Sequence, residues 1–280
     1  MSAPTPEGIR ETYDAFTEVY ARIWGENLHV GYWDAGQEDL PVPTATDRLT
    51  TELMVRLVCP AGGRVLDAGC GLGVPAIRLA TERGLEVEGV SISPPQVERA
   101  SRAAAAAKVD GRVSFRYADV NALPQPDASF DSVWAFESLH HMPDRRHALA
   151  EIARVVRPGG SVVIADFALT GPLTTDDDRE VVDAFRSAGG ALTLTDVDAY
   201  VADLVTVGLT DVVAEDVGER IRPTMTWQAQ LFEDARDSLE PRMGQVALDQ
   251  MISLNRRLAA VPQMGYVLLA ARVPAPGSAR

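Results

Sequence analysis

Two adjacent histidines are the residues of this chain best suited to acid-base chemistry. His140 and His141 follow directly after a predicted strand, and they are two of only four histidines in the sequence. A neutral imidazole can take a proton from a hydroxyl group that is becoming a nucleophile. Asp166 ends the next predicted strand and could hold an imidazole in the required tautomer. Histidines in such loops also form hydrogen bonds to the backbone, so we expect one of the pair to have a packing or orienting role and not to transfer the proton.

A glycine-rich turn follows the first buried strand. The strand breaks at Asp67, and helical spacing resumes at Val74 after three glycines, Gly69, Gly71 and Gly73. A strand, a glycine-rich turn and a helix typically open a nucleotide site. A dinucleotide fingerprint would need glycine where the chain has Val74, and the Gly-Lys-Ser/Thr ending of a phosphate loop is absent. An adenosyl ligand without a pyrophosphate suits the turn, and a tight turn without any ligand is the alternative.

The hydrophobic pattern predicts seven strands that alternate, at first, with helices. The predicted strands are Arg64–Asp67, Glu86–Ser91, Val113–Tyr117, Phe130–Ala135, Ser161–Asp166, Thr210–Asp216 and Gly265–Arg272. This alternation indicates an α/β fold with a parallel sheet and helices on both faces. Beyond the fifth strand, helices are predicted at Thr226–Leu239 and Val246–Ala259, inserted before the last strand. Their large apolar residues could wall a pocket or pack in the core.

The chain before the first strand is predicted to be helical. A helix starting near Thr5 carries six mostly aromatic residues on one face, namely Ile9, Tyr13, Phe16, Tyr20, Ile23 and Trp24. It leads into an aromatic turn at Asn27–Trp33 and could pack on the main domain, act as a lid, or do both.

Composition narrows the class of partner. The net charge of −14 would repel polyanions, so we expect no nucleic acid and no membrane partner. Cys59 and Cys70 cannot form a disulfide framework, and no apolar run reaches the length of a membrane span, so a cytoplasmic protein is expected. Asp176–Asp178 is interpreted as a helix N-terminus rather than a cation site, and no metal is expected.

Polar side chains follow five successive predicted strands. In an open parallel sheet, ligands bind outside the carboxyl ends of the strands. Any single one of these residues could be a helix cap, but five at one edge indicate a ligand site. They are Asp67, Ser91, Asp119, the run Glu137–His141, and Asp166.

The turn around Asp67 resembles the first motif of class I S-adenosylmethionine (SAM) dependent methyltransferases. The resemblance implies that Asp67 and the backbone of Gly69 and Gly71 hold the methionine end. It further implies that Asp119 accepts from the adenine amino group, that Val120 or Phe136 packs on the ring, and that His29 closes over the cofactor. The usual ribose-binding acid is missing after the second strand. The run from Gly89 is similar to that of cyclopropane fatty acid synthases and related small-molecule methyltransferases, which implies that Ser91 and Gln96 hold the ribose.

Longer runs resemble the rebeccamycin-type sugar 4'-O-methyltransferases of indolocarbazole natural-product pathways. These runs are Ala21–His29 with Gly31–Trp33, Glu137–Arg145, Ala165–Phe167, Phe232–Arg236 and Val261–Tyr266. The resemblance implies a Rossmann-like seven-stranded sheet with its last strand antiparallel. It also implies one methyltransferase domain over 1–280: a helical lid at 1–40, a SAM-binding core at 60–170, a substrate-side half at 171–272 with a helical insertion at 226–259, and a tail at 273–280.

The same resemblance implies the reaction. A methyl group would pass in line from SAM to a deoxysugar hydroxyl of a glycosylated aglycone, leaving S-adenosylhomocysteine. His140, His141 and Asp166 would form the base, in a possible homo-oligomer. Two alternatives stay open: C-methylation of a prenyl or lipid alkene, with Glu137 facing the cation, and a SAM-fold ligand-binding protein or pericyclase that transfers no methyl group. A nicotinamide oxidoreductase is disfavoured by Val74 and Ser91.

Overall fold

The computed structural model describes residue 21, residues 23–188 and residues 191–277. Most of the predicted N-terminal helix, including its start near Thr5, lies outside the described residues. Among the helices described, none combines the length and the apolar composition that spanning a bilayer requires.

Seven strands form one sheet in the order β3-β2-β1-β4-β5-β7-β6. Strand β7 runs antiparallel to both β5 and β6, and the remaining neighbours are parallel. The mostly parallel sheet with an antiparallel last strand is therefore confirmed. The strands are β1 Arg64–Ala68, β2 Glu86–Ser91, β3 Val113–Tyr117, β4 Phe130–Phe136, β5 Val156–Leu169, β6 Thr210–Asp216 and β7 Met264–Arg272.

Helices cover both faces of the sheet. They are α1 Val42–Arg56, α2 Val74–Arg83, α3 Pro94–Ala106, α4 Arg145–Val155, α5 Asp176–Ser187, α6 Val197–Thr206, α7 Gly218–Ile221, α8 Pro223–Asp234, α9 Arg236–Met243 and α10 Gln245–Ala260. Short 3-10 turns lie at Val120–Ala122 and Leu139–His141. As predicted, the three aspartates form the first turn of a helix, α5, where Thr175 and Asp178 make a capping box.

Two apolar layers hold the helices to the sheet. Successive strand residues point to opposite faces, so Val65 of β1 packs in the layer that includes α1 and α2. Its neighbour Leu66 packs in the other layer, together with α4 and α6. Burial on both faces explains why the strands of the sheet centre are continuous apolar runs.

Strand β5 is longer than predicted. Its pairing with β4 shifts register between Phe130 and Ser132, which accommodates the Arg157 to Gly160 run inside the strand. Pairing with β4 ends at Ala165, whereas pairing with β7 continues to Leu169. Asp166 was expected to end the strand; instead it is the first residue beyond the β4 ladder.

The predicted helix Thr226–Leu239 is wrong as a single element. Helix α8 ends at Asp234 and α9 begins at Arg236, because Ala235 has φ −91° and ψ 8°. Apolar spacing is the same for one helix and for two consecutive ones, so the pattern did not locate the turn. The large side chains of this insertion pack against one another, against Trp24 and Trp33, or in the main core.

We expect Leu149→Ala to lower the free energy of unfolding by about 2–5 kcal/mol, because Leu149 is fully buried between α4 and the sheet. Val205→Ala on α6 is the control, since Val205 is 58% exposed; its effect should stay within about 0.5 kcal/mol. Urea unfolding measures both. Equal losses in the two variants would contradict the layer assignment.

Candidate active site

A cavity of about 180 Å³ lies at the carboxyl edge of the sheet. Its wall includes every residue predicted to bind the cofactor: His29, Asp67, Gly69, Gly71, Ser91, Gln96, Asp119, Val120 and Phe136. His141 also borders the cavity, whereas His140 and Asp166 lie behind that wall. The topology therefore brings together residues that are more than one hundred positions apart in the chain.

The glycine-rich turn is shaped by two close approaches. Gly69 has φ +95°, and a Cβ there would lie 2.3 Å from the Cβ of Ser138. Ser138 in turn donates a hydrogen bond to the carbonyl of Ala68 at 2.5 Å, so the β4 loop closes directly over the turn. Gly71 has φ +51°, and a Cβ there would meet only Leu28, at 3.7 Å. The backbone at Gly71 is thus open towards the cavity, forming a cradle that a side chain would enter.

Asp67 is a buried acid at the floor of the cavity. Its side chain belongs to a residue that is only 2% exposed. Burial raises the pKa of the Asp67 carboxyl to about 7. The carboxyl therefore changes charge close to neutral pH.

Ser91 and Gln96 form one hydrogen-bonded unit at the end of β2. The Ser91 hydroxyl lies 2.8 Å from Oε1 of Gln96 and accepts from the Ser93 amide at 3.1 Å. Glu88, the acid nearest to the end of β2, does not border the cavity: it binds Gln125 at 2.7 Å and Arg116 at 2.8 Å. The cavity wall therefore receives the Ser91 hydroxyl from β2 and the Gln96 amide from α3.

Asp119 combines capping with its place in the wall. Its Oδ1 accepts from the backbone amide of Asn121 at 2.8 Å and from the Asn121 side chain at 2.9 Å. Asp119 therefore caps the 3-10 turn at Val120–Ala122 and also lies in the cavity wall.

His29 and Phe136 make a stacked pair at the cavity wall. Their ring centroids are 4.0 Å apart and their planes differ by 16°. His29 Nδ1 lies 2.8 Å from the Val30 carbonyl, which can only accept, so Nδ1 carries the proton. Nε2 contacts the Thr50 hydroxyl at 3.0 Å. Burial lowers the pKa of His29 to about 4, so the ring is neutral and fixed.

Glu137 joins three parts of the chain beside the cavity. It adopts φ 47°, which is rare for a residue with a side chain. Its Oε1 accepts from the Val30 amide and from the Tyr266 hydroxyl, each at 2.8 Å. Burial raises the pKa of the Glu137 carboxyl to about 7.

His140 and Asp166 form a buried couple behind His141. His140 Nδ1 contacts Asp166 Oδ1, and the two residues are 3% and 1% exposed. Asp166 also accepts from the Phe167 amide at 2.9 Å and from the Tyr200 hydroxyl at 2.8 Å. The His140 and His141 ring centroids are 3.9 Å apart. Burial lowers the pKa of His141 well below its ordinary value, and the neighbouring His140 has a smaller effect in the same direction.

The cavity wall carries acids, and no lysine or arginine within the described ranges borders it. The acids are Glu26, Asp67, Asp119 and Glu137. A pyrophosphate would find no cationic partner here, whereas a cationic ligand would be favoured. The described residues also contain no cluster of three or more His, Cys, Asp or Glu side chains that could hold a metal ion.

Several wall residues were not predicted from the sequence. Leu28, Cys70, Asn121 and Met142 border the cavity. Each is adjacent to a predicted site residue or lies within three positions of one, so proximity along the turns was the available signal. Tyr200 and Tyr266, which donate to Asp166 and Glu137, lie on distant elements and were not predicted as site residues, although Tyr266 ends one of the runs that carry the family resemblance.

Comparison with known proteins gives consistent relatives. A family model described as a methyltransferase domain matches residues 66–164. The chain is 46% identical over 276 residues to the 27-O-demethylrifamycin SV methyltransferase of Amycolatopsis mediterranei (strain S699), covering 98% of this chain and 100% of that protein. The crystal structure of the 4+2 cyclase SpnF superposes with a TM-score of 0.85 at 29% identity, over 98% and 99% of the two chains.

A second solved structure shares the fold at lower identity. The geranyl diphosphate C-methyltransferase of Streptomyces coelicolor A3(2) has a TM-score of 0.75 at 18% identity, covering 98% of this chain and 100% of that one. At this identity the likeness concerns the fold alone.

Asp67→Asn should change the dependence of stability on pH. On folding, the pKa of the Asp67 carboxyl rises from 3.8 to about 7. Such a group stabilises the folded state fully at a pH below its pKa in the unfolded chain, and this contribution is lost as the pH rises through about 7. The ligand-free variant lacks this loss. We therefore expect its free energy of unfolding, relative to the parent protein, to increase by on the order of 3 kcal/mol between about pH 4 and pH 8.

Urea unfolding across this pH range provides the measurement. Asp110→Asn, in the exposed loop before β3, is the matched control and should track the parent protein at every pH. If the free energy of unfolding of Asp67→Asn changed with pH in the same way as that of the parent protein, the Asp67 carboxyl would have an ordinary pKa.

Proposed function

Because the chain belongs to the class I SAM-dependent methyltransferases, we propose that it methylates a hydroxyl group of a secondary metabolite, namely a deoxysugar hydroxyl of a glycosylated aglycone. The observation that carries the proposal is the buried His140–Asp166 couple directly behind the cavity wall. O-methylation agrees with the relative from Amycolatopsis, whose name gives 27-O-demethylrifamycin SV as the compound that it methylates. The sugar acceptor rests on the resemblance to the rebeccamycin-type enzymes.

The cavity residues fit the proposed cofactor. The cradle at Gly71 leaves room for a ligand against the backbone, and the acidic wall suits a sulfonium cation. Asp67 with the Gly69 and Gly71 backbone would hold the methionine end, and Ser91 with Gln96 would hold the ribose. Asp119, Val120, Phe136 and His29 would surround the adenine. Bound there, SAM supplies a methyl group that is already activated on sulfur.

The chain must then remove a proton from the acceptor hydroxyl, because an alcohol is a weak acid and a weak nucleophile. His140 is the better base of the two histidines. His140 contacts the Asp166 carboxylate, which stabilises the imidazolium form, and the same contact places the proton on Nδ1 and leaves Nε2 to accept. His141 borders the cavity, and its lowered pKa keeps it neutral, which suits a group that orients the reactants.

Two rivals have specific support. Glu137 places a carboxyl at the cavity wall, as C-methylation of an alkene would require to stabilise a cation. The similarity to a 4+2 cyclase keeps open a catalyst that transfers no methyl group. Neither rival explains why a buried carboxylate contacts an imidazole beside the cavity, and both predict that the histidine pair is dispensable.

We expect His140→Asn and Asp166→Asn each to lower methyl transfer by about 10²–10⁴-fold, because the general base is lost or misoriented. His147→Asn, on the exposed face of α4, is the matched control. The assay screens glycosylated aglycones and their sugar-free forms with labelled SAM, and locates the methyl group by mass spectrometry and NMR.

The outcomes separate the candidate functions. Unchanged transfer in His140→Asn would exclude the proposed base. Methylation of a carbon would support the alkene reaction, and methylation of the sugar-free forms would reject the deoxysugar. Binding of S-adenosylhomocysteine without methylation of any acceptor would support the non-transferring protein.

Gly71→Ala tests the cofactor site separately. A methyl group at this position would enter the cradle and take up space that a ligand lying against the backbone needs. We expect the Kd for S-adenosylhomocysteine to rise by about tenfold or more, as measured by calorimetry. Gly111→Ala is the control, because a Cβ at Gly111 meets nothing within 4 Å and its φ is ordinary. An unchanged Kd for Gly71→Ala would place the ligand elsewhere.

A further inference from the structure

Tyr200 contacts Asp166, the carboxylate partner of the proposed base, from a part of the chain that carries no methyltransferase motif. It lies on α6 and is fully buried. Its hydroxyl donates to Asp166 Oδ2 at 2.8 Å, opposite the oxygen that contacts His140. We propose that Tyr200 is a positioning residue that fixes the Asp166 carboxylate against His140. This inference rests on the proposed function and deepens it.

The donors around Asp166 leave its carboxylate little freedom. Oδ1 receives the Phe167 amide at 2.9 Å and faces His140 Nδ1, while Oδ2 receives the Tyr200 hydroxyl. A carboxylate held at both oxygens cannot rotate without breaking a buried hydrogen bond. Burial and the Asp166 charge raise the pKa of Tyr200 well above its ordinary value, so the hydroxyl keeps the proton that it donates.

The Tyr200 ring is itself contacted by Arg145, the first residue of α4, which follows the two histidines in the chain. The Arg145 guanidinium lies over the ring, with Cζ 4.1 Å from the centroid. Arg145 binds Asp203 at 2.6 Å and the Thr193 carbonyl at 2.8 Å. The Thr193 amide donates to the His140 carbonyl at 3.0 Å. Arg145 therefore contacts both the Tyr200 ring and Thr193, and Thr193 in turn holds the backbone at His140.

Tyr200→Phe keeps the ring and its contact with Arg145 and removes only the hydroxyl. With an acceptor found in the screen above, we expect kcat to fall about tenfold, the cost of one buried hydrogen bond to a charged group, with KM unchanged. Tyr117→Phe, which removes a hydroxyl from a residue that is 60% exposed, is the control. In an Asp166→Asn background, Tyr200→Phe should have no further effect, because residues that act through one another are not additive.

An acceptor-independent measurement keeps the test separate from the proposed function. The Nδ1 proton of His140 should give a downfield NMR signal that His140→Asn removes. Tyr200→Phe should shift this signal further downfield, because the carboxylate has lost a competing donor. Incorporation of 3-fluorotyrosine at position 200 keeps the side-chain shape and makes the hydroxyl a stronger donor, so it should shift the signal the other way.

A His140 signal that is unmoved by both changes, or an additive loss of kcat on Asp166→Asn, would overturn the role of Tyr200 while leaving methyl transfer intact. Failure of the parent protein to methylate any acceptor would instead reject the proposed function, and the NMR shifts would still report whether Tyr200 fixes the couple.

Discussion

The site depends on an acid placed where water cannot solvate it. Asp166 is 1% exposed, and a charged carboxylate at such a position is costly unless hydrogen bonds replace its hydration. Its three donors come from the loop after β4, from β5 itself and from α6. The β4 loop, β5 and α6 must therefore each place a donor within hydrogen-bond distance of Asp166. The apolar layers on the two faces of the sheet meet this requirement, because they hold these elements in fixed positions relative to one another.

A second constraint acts on the segment before α1. The backbone amides of Val30, Gly31, Tyr32 and Trp33 donate to Glu137, Thr224, Ala45 and Arg220, respectively. This aromatic turn is therefore hydrogen-bonded to the β4 loop, α8, α1 and α7. The turn places Leu28 and His29 in the cavity wall. Glu137, whose backbone is left-handed, directs its carboxyl towards the Val30 amide of the same turn.

The sequence was sufficient for the parts that depend on local pattern and topology. Strands β2, β3 and β6 have the predicted bounds, because their apolar runs end at clear turns. Asp67, Ser91 and Asp119 could be named because parallel strands bring their carboxyl ends to one edge, whereas the other cofactor residues came from the family resemblance. The extension of β5 depends on its pairing with β7, and the break at Ala235 is a local turn that apolar spacing does not reveal. Tyr200 and Tyr266 were missed because hydrogen bonds between distant elements leave no periodic trace in a single sequence.

The absence of basic side chains from the described wall also bears on turnover. A wall of carboxyl groups attracts a sulfonium more strongly than the uncharged thioether that remains once the methyl group has left. The electrostatic part of the attraction thus weakens at the moment when the chemistry is complete. The charge of the wall therefore favours binding of the cationic donor over binding of the uncharged product.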